Sequence, residues 1–156
     1  MIQVDVPGFG ALALRSLALD FNGTLACDGG LLPGVAERLA ALAPKLSIHV
    51  LTADTHGTAA ASLAGVPCAL EVVGRTDQAE AKLRFVAALG ADGVVAIGNG
   101  RNDRLMLKAA RLGIAVVQSE GAASETLAAA DLVVQTIAEA LDLLSHPLRL
   151  VASLRD

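Results

Sequence analysis

The chain has 156 residues, of which 54% are hydrophobic, and its 16 acidic against 12 basic side chains give a formal charge of −4. That length supports one well-cored domain over residues 1–156, and an acidic balance without a basic block argues against nucleic-acid partners, whose phosphates call for Lys and Arg. Every apolar run breaks before the ~18 to 20 residues of a membrane span, no signal-peptide pattern opens the sequence, and Cys27 and Cys68 make no disulfide framework, so a soluble cytoplasmic protein is expected.

Ile2 to Val6 alternates apolar and polar residues, Pro7-Gly8-Phe9-Gly10 turns, and Ala11 to Leu19 is a longer apolar run. This predicts an N-terminal β-hairpin whose first strand lies antiparallel to the central one. The run Leu17-Ala18-Leu19 ends on Asp20. Continuous apolar sequence marks a parallel strand buried on both faces, and in open α/β sheets ligands gather beyond the carboxyl ends of such strands. Gly23 then permits a tight turn whose N–H groups can face an anion, with the Thr24 hydroxyl beside them. An Asp in this place also serves as a simple turn residue.

Gly29-Gly30 and Pro33-Gly34 frame the next turn, and Val35, Leu39 and Leu42 space a helix over Val35 to Ala43 that Pro44 ends. Leu46 to Leu51 returns to strand and delivers Thr52 at a carboxyl end. Asp54 and His56 follow, near that edge by sequence, though helix capping by Asp54 or Thr55 explains the polar cluster equally well. A small alanine-rich helix runs to Leu63, Pro67 to Val73 reads as strand, and Asp77 with Glu80 makes a capping-box pattern. The helix it opens extends to about Leu89, which places Lys82 in its first or second turn.

Gly93 to Ile97 predicts another strand, followed by Gly98-Asn99-Gly100 and a helix from about Asn102 to Leu112. Asp103 falls in its first turn, where the helix dipole favours an acid regardless of function. Gly113 to Val117 (strand), Glu120 to Ala129 (helix), Asp131 to Val134 (strand) and Thr136 to Leu144 (helix) complete the alternation. The pattern predicts an α/β fold: a parallel sheet with helices on both faces.

Four polar groups thus follow apolar strands or open helices in one order, and together they resemble the haloacid dehalogenase superfamily. Asp20-Phe21-Asn22-Gly23-Thr24 is similar to its first motif, Asp-x-Asp-Gly-Thr, with Asn22 in place of the second Asp. Thr52 and Lys82 stand where the second and third motifs have Thr or Ser and Lys. Gly98 to Asp103 resembles the fourth, Gly-Asp-Gly-x-Asn-Asp, with Asn99 replacing an Asp. This last form and Leu51-Thr52-Ala53-Asp54 are most similar to the phosphorylation domain of P-type ATPases.

The resemblance implies a Rossmann-like sheet, capless because only short helix–turn units separate the motifs. It implies a Mg²⁺-dependent phosphohydrolase or phosphotransferase in which Asp20 attacks a phosphoryl group to give an aspartyl-phosphate. Thr52, Lys82 and the N–H groups of Asn22 and Gly23 would hold phosphoryl oxygens. Asp20, the Asn22 carbonyl, Asn99 and Asp103 would hold the metal, which prefers oxygen ligands. The substrate would be a small phosphorylated metabolite or a phosphoprotein, with a second copy of the chain covering the open site, as subunits do in capless small-molecule members. The alternative is a degenerate domain in a regulatory or scaffold role, because the amides at 22 and 99 neither exchange a carboxyl proton nor add negative charge.

Overall fold

A computed structural model describes residues 1–54 and 57–156. Its core is a six-stranded parallel sheet, and the alternation read from the sequence is reproduced. The N-terminal hairpin, β1 (Ile2–Val6) and β2 (Gly10–Leu14), pairs Ile2 with Leu14 through Val6 with Gly10. It forms a two-stranded sheet of its own, which corrects the expectation that its first strand would run beside the central one. The apolar stretch from 11 to 19 is two strands, divided at Arg15. There the backbone N–H donates to the Gly93 carbonyl and the carbonyl accepts from Ser47, so the chain changes sheets at this residue.

β3 (Ser16–Asp20) follows, buried along its whole length. A short hairpin that the sequence did not announce, β4 (Ala26–Cys27) with β5 (Gly30–Leu31), leads to α1 (Val35–Leu42). Then come β6 (Ser47–Thr52), α2 (Thr58–Ser62), β7 (Ala69–Val72) and α3 (Gln78–Ala88). Asp77 precedes α3 with φ 55° and no side-chain cap, so the expected capping box does not form there. β8 (Val94–Gly98) passes through a 3-10 turn, Arg101–Asp103, into α4 (Arg104–Ala109). That helix is shorter than its sequence pattern, since Leu112 already belongs to β9 (Leu112–Val116). The chain ends with α5 (Ser124–Ala129), β10 (Leu132–Val134), α6 (Ile137–Ser145) and the unanticipated α7 (Leu148–Leu154).

Strand order is β10-β9-β8-β3-β6-β7. From β3 the chain steps outward to β6 and β7, then returns to the other side of β3 to lay down β8, β9 and β10. The direction of winding therefore reverses at the β3–β8 junction, where an open α/β sheet leaves a crevice at its carboxyl edge. The capping box of α6 is present, with Thr136 Oγ1 accepting from Glu139 N–H at 3.2 Å.

Leu17, Leu19, Val95 and Ile97 pack with residues of α1 and α6 in one apolar layer, and Ala18, Ala96, Val86 and Met106 form the other, toward α3 and α4. Each fully buried Leu, Ile or Val contributes about 1.5 to 3 kcal/mol, and two covered faces explain the uninterrupted apolar strands. Among the described residues no helix is long and apolar enough to cross a membrane.

Candidate active site

The four sequence segments meet at the reversal point. β3 carries Asp20 to the carboxyl edge, and β6 carries Thr52 one residue beyond Leu51, which pairs with Asp20. The β8 loop supplies Asn99 and Asp103, and α3 sends Lys82 in from the side. Asp20, Thr52, Lys82, Asn99 and Asp103 are buried, Lys82 and Asp103 completely, while Asn22 is exposed.

Lys82 is the electrostatic centre. Its Nζ donates to Asp20 Oδ1 at 2.6 Å and to Asp103 Oδ1 at 2.7 Å, so one ammonium holds together two carboxylates from adjacent strand ends. Burial works against the charged ammonium, but Asp20 and Asp103 outweigh it and hold its pKa above the usual value. For Asp20, burial, reinforced by the Asp103 charge and opposed by Lys82, pushes the carboxyl from 3.8 up to about 7. The second oxygen of Asp103 accepts the Asn99 and Gly100 N–H groups at 3.0 and 2.9 Å, which fixes this carboxylate against the loop.

The Asp20 turn is wound tightly: Thr24, Leu25 and Ala26 N–H groups all donate to the Phe21 carbonyl, and Gly23 N–H donates to Ala26 at 2.9 Å. The Gly23 amide is therefore occupied within the turn, contrary to the expectation that it faces an anion. Asn22 N–H has no partner among the described residues. The Asn22 side chain is exposed at the mouth. Gly23 has φ 77°, and a Cβ on it would lie 2.5 Å from Asn99 Nδ2 and 2.8 Å from Glu120 Oε2, so only glycine fits.

Asn99 is held in one orientation. Its Nδ2 donates to the Gly121 carbonyl at 2.9 Å, which turns Oδ1 toward the Thr24 hydroxyl at 3.3 Å. That hydroxyl also faces Asp20 Oδ2, at 3.2 Å. The single Thr24 hydroxyl proton faces both oxygens and goes to only one of them at a time. An oxygen-seeking cation satisfies such a pair, and with Asp103 and the Asn22 carbonyl the donors are the hard oxygens that Mg²⁺ prefers. These residues fit the ion.

Because the Asn99 amide donates a bond that a carboxylate cannot, Asn99→Asp is expected to cost the metal-free protein about 1 to 3 kcal/mol. The same carboxylate adds charge to the oxygen set, so Mg²⁺ should restore more stability to the variant than to the wild type. Urea unfolding with and without Mg²⁺ measures both.

Thr52 is buried, and its hydroxyl accepts the Asp54 N–H at 3.1 Å. Asp54 Oδ1 in turn accepts the Ala59 N–H at 3.1 Å, so capping accounts for this residue. His56, the other candidate there, lies outside the described residues. Two neighbours were missed from the sequence. Gln118 bonds the carbonyls of Gly23 and Thr24, and Glu120 stands at the rim with Cys27 and Asp28, their ligating atoms within 4.8 Å of one another. Gln118 follows the apolar run of β9 directly, the same signal that marked Asp20 and Thr52.

A family model for haloacid dehalogenase-like hydrolases matches residues 82–140. An uncharacterised protein of Methanocaldococcus jannaschii is 54% identical over 63 residues, spanning 40% of this chain and 68% of that one. In fold, the chain is similar to the cobalt-bound deoxy-D-mannose-octulosonate 8-phosphate phosphatase of Haemophilus influenzae, with TM-score 0.71, 15% identity, and coverage of 90% of this chain and 92% of that one. The corresponding phosphatase of Moraxella catarrhalis, in complex with magnesium, phosphate and the sugar acid, gives TM-score 0.68 at 15% identity over 90% and 91% of the two chains.

Proposed function

Since the chain belongs to the haloacid dehalogenase superfamily of hydrolases, we propose that it is a Mg²⁺-dependent phosphohydrolase or phosphotransferase working through an aspartyl-phosphate on Asp20. The observation that carries this reading is the Lys82 ammonium bridging Asp20 and Asp103 beside the Asp20 and Asn99 oxygens that share the Thr24 hydroxyl. The substrate class is a small phosphorylated metabolite, supported by the octulosonate phosphatases that share the fold.

An Asp20 carboxylate oxygen attacks phosphorus, the bond from phosphorus to the leaving oxygen breaks, and that oxygen takes a proton from water. A water molecule then attacks phosphorus, releases inorganic phosphate and regenerates the carboxylate. Lys82 keeps Asp20 oriented and places a fixed positive charge beside the transferring group, where phosphoryl transfer depends chiefly on positioning and charge stabilisation. Asn22 N–H, without a partner among the described residues, and the Thr52 hydroxyl are donors for phosphoryl oxygens. Asp20, Asp103, Asn99 Oδ1 and the Asn22 carbonyl would hold Mg²⁺, which neutralises charge on the phosphoryl group when bound.

Neutral Asn22 makes this enzyme slow at hydrolysing its own phosphoenzyme. The open mouth would be covered by a second copy of the chain, which excludes water.

The test is Mg²⁺-dependent hydrolysis of an aryl phosphate and a panel of phosphometabolites, with acid-quenched phosphoenzyme measured in parallel. Both signals are expected in wild type and neither in Asp20→Ala. Metal and phosphate-analogue binding without either signal would establish the degenerate alternative instead.

The raised pKa of Asp20 adds a pH dependence. An acid raised on folding supports the metal-free fold fully below its ordinary pKa of 3.8, and that support is lost as the pH rises toward 7. The slope inside this window is roughly 1.4 kcal/mol per pH unit. Urea unfolding in EDTA at pH 5 and pH 8 checks it, and Asp20→Asn should flatten the difference.

A further inference from the structure

We propose that Gln118 is the positioning residue for the Asp20 turn, holding the Asn22 carbonyl and N–H in register with Asp20; this rests on the phosphoryl-transfer reading above. Its Nε2 donates to the carbonyls of Gly23 and Thr24 at 2.8 and 2.9 Å, and its Oε1 accepts the Ile137 N–H at 2.9 Å. Ile137 is the first residue of α6, whose opening N–H groups lack helical partners. That N–H claims the oxygen of the amide, so the NH₂ group can point only at the turn. All three polar contacts of the side chain then lie between the end of α6 and the loop after Asp20.

The backbone reports the same constraint. Gln118 has φ 52°, a left-handed conformation in which non-glycine residues are uncommon, and its own N–H donates to the Gln135 carbonyl at 2.8 Å. Turning the chain this way at the end of β9 swings the side chain back across the carboxyl edge to the Asp20 turn, 95 residues earlier in the chain. Glycine would relieve the backbone, so the side chain is what gives Gln its use at this position.

The carbonyls of Gly23 and Thr24 take no part in the hydrogen bonds that wind the turn, which converge on Phe21 and Ala26. Without Gln118 the turn keeps its shape but loses its outer anchor. Its drift displaces Asn22, the residue whose carbonyl would reach the metal and whose N–H would donate to a phosphoryl oxygen. A displacement of about 1 Å at a reacting centre lowers rates by as much as 10²-fold.

Three variants test this. Gln118→Gly removes the amide and the backbone strain together. Gln118→Glu keeps length and the oxygen facing Ile137 but sets a carboxylate against two carbonyls. Gln118→Met keeps bulk without polar atoms. Mn²⁺ binding by electron paramagnetic resonance, kcat and KM on an aryl phosphate, and the unfolding midpoint are measured for each.

All three should lower kcat roughly 10- to 100-fold and weaken Mn²⁺ binding several-fold, with KM changing less. Gln118→Gly should keep a midpoint near wild type. Wild-type kcat and Mn²⁺ affinity in Gln118→Gly and Gln118→Glu overturn the proposal. So does a loss of kcat that tracks only a lowered midpoint with Mn²⁺ affinity intact. If wild type binds Mn²⁺ without Asp20-dependent turnover, the phosphoryl-transfer reading fails and the Mn²⁺ comparison alone decides the role of Gln118. If it neither binds nor turns over, both fall.

Discussion

Asn22→Asp should raise steady-state phosphatase turnover by about 10² to 10⁴-fold, the usual worth of general acid–base help to a reacting group. A carboxyl at this position can protonate the leaving oxygen and later take a proton from the attacking water, which an amide cannot do. The gain should come at no cost to folding. Asn22 is exposed and its side chain makes no hydrogen bond among the described residues, and substitutions at such places stay within about 0.5 kcal/mol. Metal affinity should change little, because the expected contact is the backbone carbonyl. In wild type the phosphoenzyme should outlive that of the variant, as measured by the decay of acid-stable label after a chase. If Asn22→Asp leaves turnover unchanged while Asp20→Ala abolishes it, another group moves the proton, and Glu120 at the rim is the next to replace.

The second large effect is expected from Lys82→Met. The methionine keeps the apolar contacts of the stem but removes the ammonium, leaving Asp20 and Asp103 buried side by side without a counter-charge. Breaking a buried ionic cluster by removing one partner costs about 3 to 5 kcal/mol. Because Asp20 is already raised by burial and by Asp103, losing Lys82 drives it higher, and protonation then relieves the repulsion. The variant should therefore lose most stability above neutral pH and regain part of it near pH 5, and Mg²⁺ should rescue it by replacing the lost positive charge. Activity should fall about 10² to 10³-fold or more, the scale for removing one preorganised charge from a transition state. Urea unfolding across pH, with and without Mg²⁺, separates the electrostatic account from a simple packing defect, which would respond to neither.

The amino-acid sequence alone determined the alternation of strands and helices, and it put Asp20 and Thr52 at strand ends, Asn99 in the loop after one, and Asp103 in the first turn of the helix that follows. Both are local facts: a strand covered on two faces must be apolar throughout, and it must become polar where it reaches water. Lys82 is different. A lysine in a second helical turn reads the same whether it is solvated or buried, and only the packing of α3 against the β3–β8 junction makes it the counter-ion of two carboxylates. The hairpin sheet was equally undecided, since Ala11 to Leu19 is apolar on both sides of Arg15 and only the backbone bonds at Arg15 divide it. The tertiary structure also decided which amides of the Asp20 turn are free, which way Asn99 faces, and that Gln118 grips the turn. The orientation of Asn99 and the grip of Gln118 depend on contacts between residues 22 to 95 positions apart, and no periodicity in a sequence encodes which distant carbonyl a side-chain amide will meet.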